Sequence, residues 1–221
     1  MKLMDALRIL ENGKIENIPF KDLFLDVPID KVNKGKVGQL LEIYLGLANT
    51  PNPLDFEDGE LKTNKAKLNG EPLETMFISQ ISSQVDNMFS GMTFEQSWLF
   101  NKIKRMIYLP VVKLSKKPEE WYFKPPIYFE TKPGEDFFAQ LQDDYNNIVS
   151  QMMKSIEKGD GFLHTSNGKY IQIRTKDSKP YHPIYSKHYK KYISNKNFAF
   201  YLKKEFMTDL LKSSMKYPDI I

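Results

Sequence analysis

Apolar residues recur at helical spacing in three stretches of the chain. In the first, Leu3, Leu7 and Leu10 predict a short amphipathic helix over 3–12, stopped by Gly13. In the second, Val37, Leu40, Leu41, Tyr44 and Leu45 form a stripe ended by Gly46, and Glu42 lies on its border. The longest stripe runs Phe137, Phe138, Leu141, Tyr145, Ile148, Val149, Met152 and Ile156. It predicts a core helix opened by Pro133-Gly134-Glu135-Asp136 and closed by Gly159. Thr93-Phe94-Glu95-Gln96 reads as a capping box that opens a further helix to about Arg105.

Other stretches follow a strand pattern. Asp58-Gly59 is a turn signal before the extended piece Glu60-Leu61-Lys62. A second turn at Asn69-Gly70 leads into 72–79, which predicts a strand–turn–strand pair with Glu60–Thr63 in its first arm. Ile107–Leu114 reads as a strand interrupted by Pro110, hence an edge strand or a bulge. Trp121–Phe129 is strand-like around Pro125-Pro126. Asn167-Gly168 is the clearest hairpin signal. It feeds a strand with Ile171 and Ile173 inward and Gln172 and Arg174 outward. Phe198–Lys212 reads as a final strand-to-helix or wholly helical segment, with Lys203 and Lys204 exposed. Residues 15–33, with Pro19 and Pro28, and 47–54 read as loops. The class is α/β.

Composition narrows the chemistry. The 221 residues, 41% hydrophobic, suffice for one domain with two lobes. No cysteine is present, which removes disulfides and thiolate metal sites and fits a reducing interior. Residues 1–14 carry charges throughout and lack the apolar run of a signal peptide, so the expected location is cytoplasmic. The net charge of +4 is unevenly spread. Residues 154–216 hold 14 basic and 5 acidic side chains, a net of +9, which leaves −5 for the remainder. A basic half suits a polyanion and an acidic half suits a metal, although solvated lysines give the same count.

The acidic half contains Asp55, then Glu60-Leu61-Lys62 five positions on. Glu60 and Lys62 share one face of an extended strand. Asp55 and Glu60 meet on one divalent cation if the turn between them is tight. A lone D-x4-E-x-K also arises by chance in a chain rich in these residues. Glu42 and Lys102, each alone, read equally well as surface charges. Arg174 reads as a cross-strand partner, and Tyr201 as core.

Several stretches, in order from about residue 30 to 212, resemble the MutH family of mismatch-repair endonucleases and the related GATC-cutting type II restriction enzymes. Lys34-Gly35-x-Val37-Gly38-x-Leu40-Leu41-Glu42 is similar to the family's helix with its first acidic residue. Asp55-Phe56 with Glu60-Leu61-Lys62-Thr63 resembles its catalytic motif, followed by Gly70-x-Pro72-Leu73-Glu74-Thr75-x-Phe77. Lys102-x-Lys104-Arg105 with Pro110-Val111 resembles the next helix and strand. Ile171-Gln172-Ile173-Arg174-x-Lys176 and Phe200-Tyr201-Leu202-Lys203-Lys204-x-Phe206 resemble two pieces of its DNA-reading lobe. Two departures stand out. The Asp55–Glu60 spacing is short, which trims a turn. Thr175 replaces an expected proline in the recognition loop, which bears on base readout.

The resemblance implies a PD-(D/E)xK restriction-endonuclease-like fold, a mixed sheet flanked by helices, with two lobes clamping DNA. Residues 1–221 would form one domain, the catalytic lobe roughly 1–115 and the DNA-reading lobe roughly 116–221. It implies Mg²⁺, with Mn²⁺ as a substitute, held by Asp55, Glu60, the Leu61 carbonyl and Glu42. Lys62 and Lys102 would serve the scissile phosphate. Arg174 and Lys176 would read guanine, Glu74 and Tyr201 would sense adenine and its methylation, and Lys203 and Lys204 would hold phosphates. The expected function is a type II restriction endonuclease on duplex DNA at GATC or a related site, paired with a cognate methyltransferase. The alternatives are a methyl-directed nicking enzyme of mismatch repair activated by a MutL-like partner, and a DNA-binding protein without cleavage.

Overall fold

A computed structural model describes residues 1–25, 36–47 and 54–216. The loop around Pro28, the Lys34-Gly35 helix start and the proline-rich 48–53 stretch lie outside the described residues. In chain order the elements are α1 (Leu3–Asn12), α2 (Phe20–Leu23), α3 (Lys36–Tyr44), β1 (Glu60–Ala66), β2 (Met76–Gln80), α4 (Val85–Phe89), α5 (Trp98–Ile103) and β3 (Arg105–Val112). There follow β4 (Tyr122–Phe123), β5 (Ile127–Glu130), α6 (Asp136–Lys158), β6 (Ser166–Asn167), β7 (Ile171–Thr175), β8 (Ile184–Ser186), β9 (Lys191–Ser194), β10 (Phe198–Leu202) and α7 (Lys204–Lys216). This is the mixed α/β architecture expected of the restriction-endonuclease-like fold. Among the described residues no helix is long and apolar enough to cross a membrane.

The chain forms two compact units, each assembled from separated segments. Met1–Glu74, Lys104–Glu130 and Met207–Ile221 make the first; Thr75–Ile103 and Thr131–Phe206 make the second. A single division of the chain near residue 115 does not separate them.

In the first unit β1 pairs in parallel with β3, with Lys62 opposite Tyr108. The predicted pairing of Glu60–Thr63 with 72–79 does not form. Only an Ala66–Pro72 bridge remains of it, and β2 instead pairs with β10. Odd positions of β1 and β3 (Leu61, Ile107, Leu109, Val111) face a core built from Leu3, Leu7 and Leu10 of α1, Leu40 and Leu41 of α3, Phe20 and Phe123. Each such buried side chain contributes roughly 1.5–3 kcal/mol. Even positions of β1 (Glu60, Lys62, Asn64) therefore lie on the opposite face.

Pro110 sits inside β3, a strand with neighbours on both sides, and not on an edge. On one side β3 meets β5 through Tyr108 and β4 from Val111 onward. The Pro110 carbonyl points to that side, where it accepts the Lys124 N–H at 2.8 Å. The missing N–H of the proline therefore falls at the break between the two partner strands, where Pro125-Pro126 stands. No ladder bond is lost.

The second unit holds the antiparallel order β2-β10-β7-β6 and the separate hairpin β8–β9. Every residue of the central β10 is buried. Phe200 faces α6, where its ring lies 6.2 Å from Tyr145. The capping-box expectation is half met. Thr93 N–H donates to Gln96 Oε1 at 3.1 Å, but the helix begins later, at Trp98, where Ser97 Oγ accepts the Phe100 N–H at 3.1 Å.

The apolar pattern of α6 passes over one buried polar residue, Asp144, only 4% exposed. Its carboxylate accepts N–H groups of Lys169 (2.8 Å), Tyr170 and Ile171 (2.9 Å), fixing the turn from β6 to β7. The glycine of the Asn167-Gly168 signal is required by this close approach. A Cβ there would lie 2.3 Å from Asp144 Cγ. Asp144→Ala should cost about 2–4 kcal/mol, since two buried N–H groups and one partly buried one lose a charged acceptor. Urea unfolding of the variant measures this, and an unchanged midpoint would contradict the role given to Asp144.

Candidate active site and nucleic-acid face

Four of the sequence-selected residues come together in the first unit. Lys62 Nζ lies 2.7 Å from Glu60 Oε1 and 3.8 Å from Asp55 Oδ2. The Glu60 side chain is 2% exposed, so its charge is held out of water and answered by Lys62. Asp55 Oδ2 also accepts the Leu61 N–H at 2.9 Å, which seats Asp55 over the first residues of β1. Glu42 on α3 is half-buried. Burial, then the charges of Asp55 and Glu60, push its carboxyl above the ordinary value, against the opposing pull of Lys62. The four groups thus share one electrostatic neighbourhood. Among the described residues no three carboxylate or imidazole groups stand as a ready metal cage. Asp55 and Glu60 instead form a pair bridged by Lys62.

The turn Phe56–Gly59 that joins the two carboxylates is tightly built. Asp58 Oδ1 accepts the Leu3 N–H at 2.7 Å at the start of α1, and Asp58 Oδ2 pairs with Arg105 of β3 at 2.5 Å. Arg105 Nε reaches the Tyr128 hydroxyl at 3.0 Å, and that hydroxyl donates to Glu130. These partners hold the Arg105 guanidinium above its already high ordinary value. A Cβ on Gly59 would meet Leu3 Cδ1 at 2.3 Å and the Arg105 carbonyl at 2.8 Å. Asp58 and Arg105 were not among the expected site residues. The Asp58-Gly59 turn signal pointed to the first, and no local pattern announces the second.

Glu74 lies at the end of the first unit, half-buried. Its backbone carbonyl accepts Asn64 Nδ2 at 2.7 Å. Its charge adds to burial in pushing the Tyr108 phenol well above the ordinary range. Tyr108, opposite Lys62, is fully buried, and its hydroxyl makes no hydrogen bond among the described residues.

The remaining selected residues belong to the second unit. Lys102 is half-buried in the last turn of α5. On the outer face of the β2-β10-β7 sheet, Arg174 stacks over the Tyr201 ring at 4.2 Å and donates to Thr75 Oγ1 at 2.9 Å. Tyr201 is 6% exposed and packs edge-on against Phe77 at 5.8 Å. Arg174 is therefore exposed but pre-oriented, and Tyr201 is its platform. Lys176 Nζ lies 5.9 Å over the Phe77 ring, at the rim of a cleft of about 390 Å³ lined by Gln80, Asp177, His182 and Asn197 among others. Asp177, its side chain 2% exposed, organises that loop. It accepts the His182 N–H (2.7 Å), His182 Nδ1–H (2.8 Å) and Asn197 N–H (2.8 Å), which hold its carboxyl far below the usual range. Lys203 is only partly exposed, and its ammonium donates to the Gly168 carbonyl at 3.0 Å. It braces the hairpin turn, in contrast to the exposed position expected of it. Lys204 is exposed at the start of α7.

The family model described as DNA mismatch repair enzyme MutH matches residues 47–144. The protein named DNA mismatch repair protein MutH from Haemophilus influenzae (strain 86-028NP) is 31% identical over 200 residues, covering 87% of this chain and 85% of its own length. The protein of the same name from Escherichia coli O1:K1 is 32% identical over 155 residues, covering 66% of this chain. The chain spans 62% of the length of that relative and of its Escherichia coli O45:K1 counterpart. The likeness to the H. influenzae protein runs through both units, and the chain belongs to the MutH family.

Proposed function

We propose that this chain is a metal-dependent endonuclease that nicks one strand of duplex DNA at GATC or a closely related site in mismatch repair, with a MutL-like activator. The observation that carries this is the Lys62 ammonium held against Glu60 and beside Asp55 at the start of β1. The restriction reading drawn from the recognition-loop departures is less well supported, because the relatives at 31–32% identity carry repair names. One such constellation among the described residues also suits cutting one strand per engagement.

The donor set fits a hard divalent cation. It is all oxygen, and burial, followed by the charges of Asp55 and Glu60, raises the Glu42 carboxyl beside it. Asp55, Glu60 and the Leu61 carbonyl would hold Mg²⁺, with Glu42 beside it; when bound it polarises a phosphate and acidifies a coordinated water. The protein supplies the rest. Lys62 places a fixed positive charge where the phosphoryl oxygens gain negative charge, and its bond to Glu60 keeps it from swinging away. The Asp58 and Gly59 contacts hold Asp55 in register with Glu60. On the other unit Arg174, held over the Tyr201 ring, offers its remaining N–H groups to a guanine edge. Lys176 and Lys204 suit phosphates.

Supercoiled plasmid with Mg²⁺ should give open circles, more of them when a MutL-like protein is added. Linear products of discrete size would favour restriction, and intact plasmid under all conditions would defeat both. Glu60→Ala and Lys62→Ala should each lower cleavage by roughly 10² or more while leaving DNA binding in place; near wild-type cutting by either means the site is misassigned. Arg174→Ala should relax base preference at a cost of roughly 1–3 kcal/mol. A loss equal on all sequences would make it a phosphate contact instead.

Glu42 gives a pH test with a definite sign. Its folded carboxyl titrates above the ordinary value of 4.5, so the folded state holds the proton more tightly than the unfolded state. Its stabilising share is full below that value and is lost as pH rises through the raised folded value. Glu42→Gln should therefore stabilise the metal-free protein at neutral pH, by less than about 1 kcal/mol because the group is only half-buried and solvent screens it. It should also weaken metal binding. A variant less stable than wild type at pH 7 would remove this account of Glu42 by burial and neighbouring charge.

A further inference from the structure

Between β7 and β10, the strands that carry Arg174 and Tyr201, the chain makes an excursion over 176–197 that the proposed chemistry does not use. From Ser178 to Lys204 the sequence contains no Asp or Glu, but seven lysines and two histidines. The excursion folds into the hairpin β8–β9, which pairs with no other sheet among the described residues. One side of the hairpin buries Ile184 and Ile193. The other presents Tyr185 and Tyr192, cross-strand partners with rings 5.3 Å apart, 49% and 59% exposed. Lys187, Lys190 and Lys191 are exposed around the turn.

This hairpin is firmly mounted. The Asp86 carboxylate accepts Ser186 Oγ–H at 2.6 Å and the N–H groups of Lys187 (2.9 Å) and His188 (3.2 Å). The Tyr189 hydroxyl donates to Glu157 at 2.6 Å, and the Ile193 carbonyl accepts the Leu163 N–H at 2.8 Å. Asp177 ties the base through His182 and Asn197. The carboxylates of Asp86, Glu157 and Asp177 are thus engaged by the mounting and do not answer the lysines at the turn. A rigid element that holds two aromatic rings half in water beside a ring of cations is built for an anionic partner with an apolar component. Sugar–phosphate backbone has both.

We propose that the β8–β9 hairpin is a second DNA contact, gripping the backbone of duplex DNA outside the bases faced by Arg174. Lys187, Lys190 and Lys191 neutralise phosphates, and Tyr185 and Tyr192 pack on the sugars between them. This rests on the endonuclease reading above. The test uses the full chain with Ca²⁺, fluorescent GATC duplexes of ~12 and ~30 base pairs, and anisotropy titrations across salt concentrations. Lys190→Ala/Lys191→Ala should bind the long duplex about tenfold more weakly and lower the slope of log K against log salt by about two. Tyr185→Ala/Tyr192→Ala should weaken the long duplex about tenfold with the slope unchanged, and all variants should bind the short duplex as wild type does. Variants that melt like wild type yet keep its affinity and slope on the long duplex would overturn the hairpin contact alone. Equal losses on both duplexes would overturn its placement outside the read bases. A wild-type chain that binds neither duplex would sink the endonuclease reading and the hairpin contact together.

Discussion

The Asp58 carboxylate is the constraint on which the first unit's site depends. Its two oxygens reach in different directions, one to the Leu3 N–H at the start of α1 and one to Arg105 at the start of β3. Each is a charge-assisted bond of roughly 1.5–3 kcal/mol. Between them they leave the short turn after Asp55 one conformation. Gly59 then fits where no side chain fits, against Leu3 and the Arg105 backbone. The consequence passes directly to the candidate site. Asp55 is delivered to the Leu61 N–H, and Glu60 and Lys62 emerge on the same face of β1. The shortened spacing between the acidic residues is thus compatible with the site, because the turn is anchored from outside itself.

The second unit solves a similar problem with a different carboxylate. Asp144, buried in α6, fixes the turn that launches β7, and Lys203 closes the same turn from β10. Arg174 is then presented by a strand whose start is held at three backbone positions. Its stacking on Tyr201 removes much of the rotamer freedom that a long side chain loses on binding. Orientation is supplied in the second unit by the buried Asp144 and in the first by the half-buried Asp58.

Much of this was legible in the sequence. The stripes of α1, α3 and α6 report their buried faces, because burial on one side of a helix enforces the period. The D-x4-E-x-K spacing and its co-linear neighbours singled out Asp55, Glu60 and Lys62, which the fold brings together. What stayed hidden was non-local. The parallel pairing of β1 with β3 joins residues more than forty positions apart, so the nearer Asn69-Gly70 turn suggested a hairpin that is only a single bridge. Pro110 reads as an edge signal until its partner strands are seen to break opposite it. Asp144 was missed because a search for apolar periodicity steps over a polar residue within the stripe. Arg105 was missed because a pair spanning 47 positions leaves no local pattern. Lys203 looked solvent-directed because nothing in its own strand reveals the Gly168 carbonyl.

The bond from the Leu61 N–H to Asp55 has one more effect. Among the described residues β1 has a single strand neighbour, β3, so its other margin is a sheet edge. Such a margin invites a second chain to add on and is a common start of aggregation. Here Asp55 occupies one end of it, and the Leu73 N–H occupies the Lys65 carbonyl at the other. The Asp55 carboxylate therefore also guards an open sheet edge, so a variant without it would lose part of its protection against self-association.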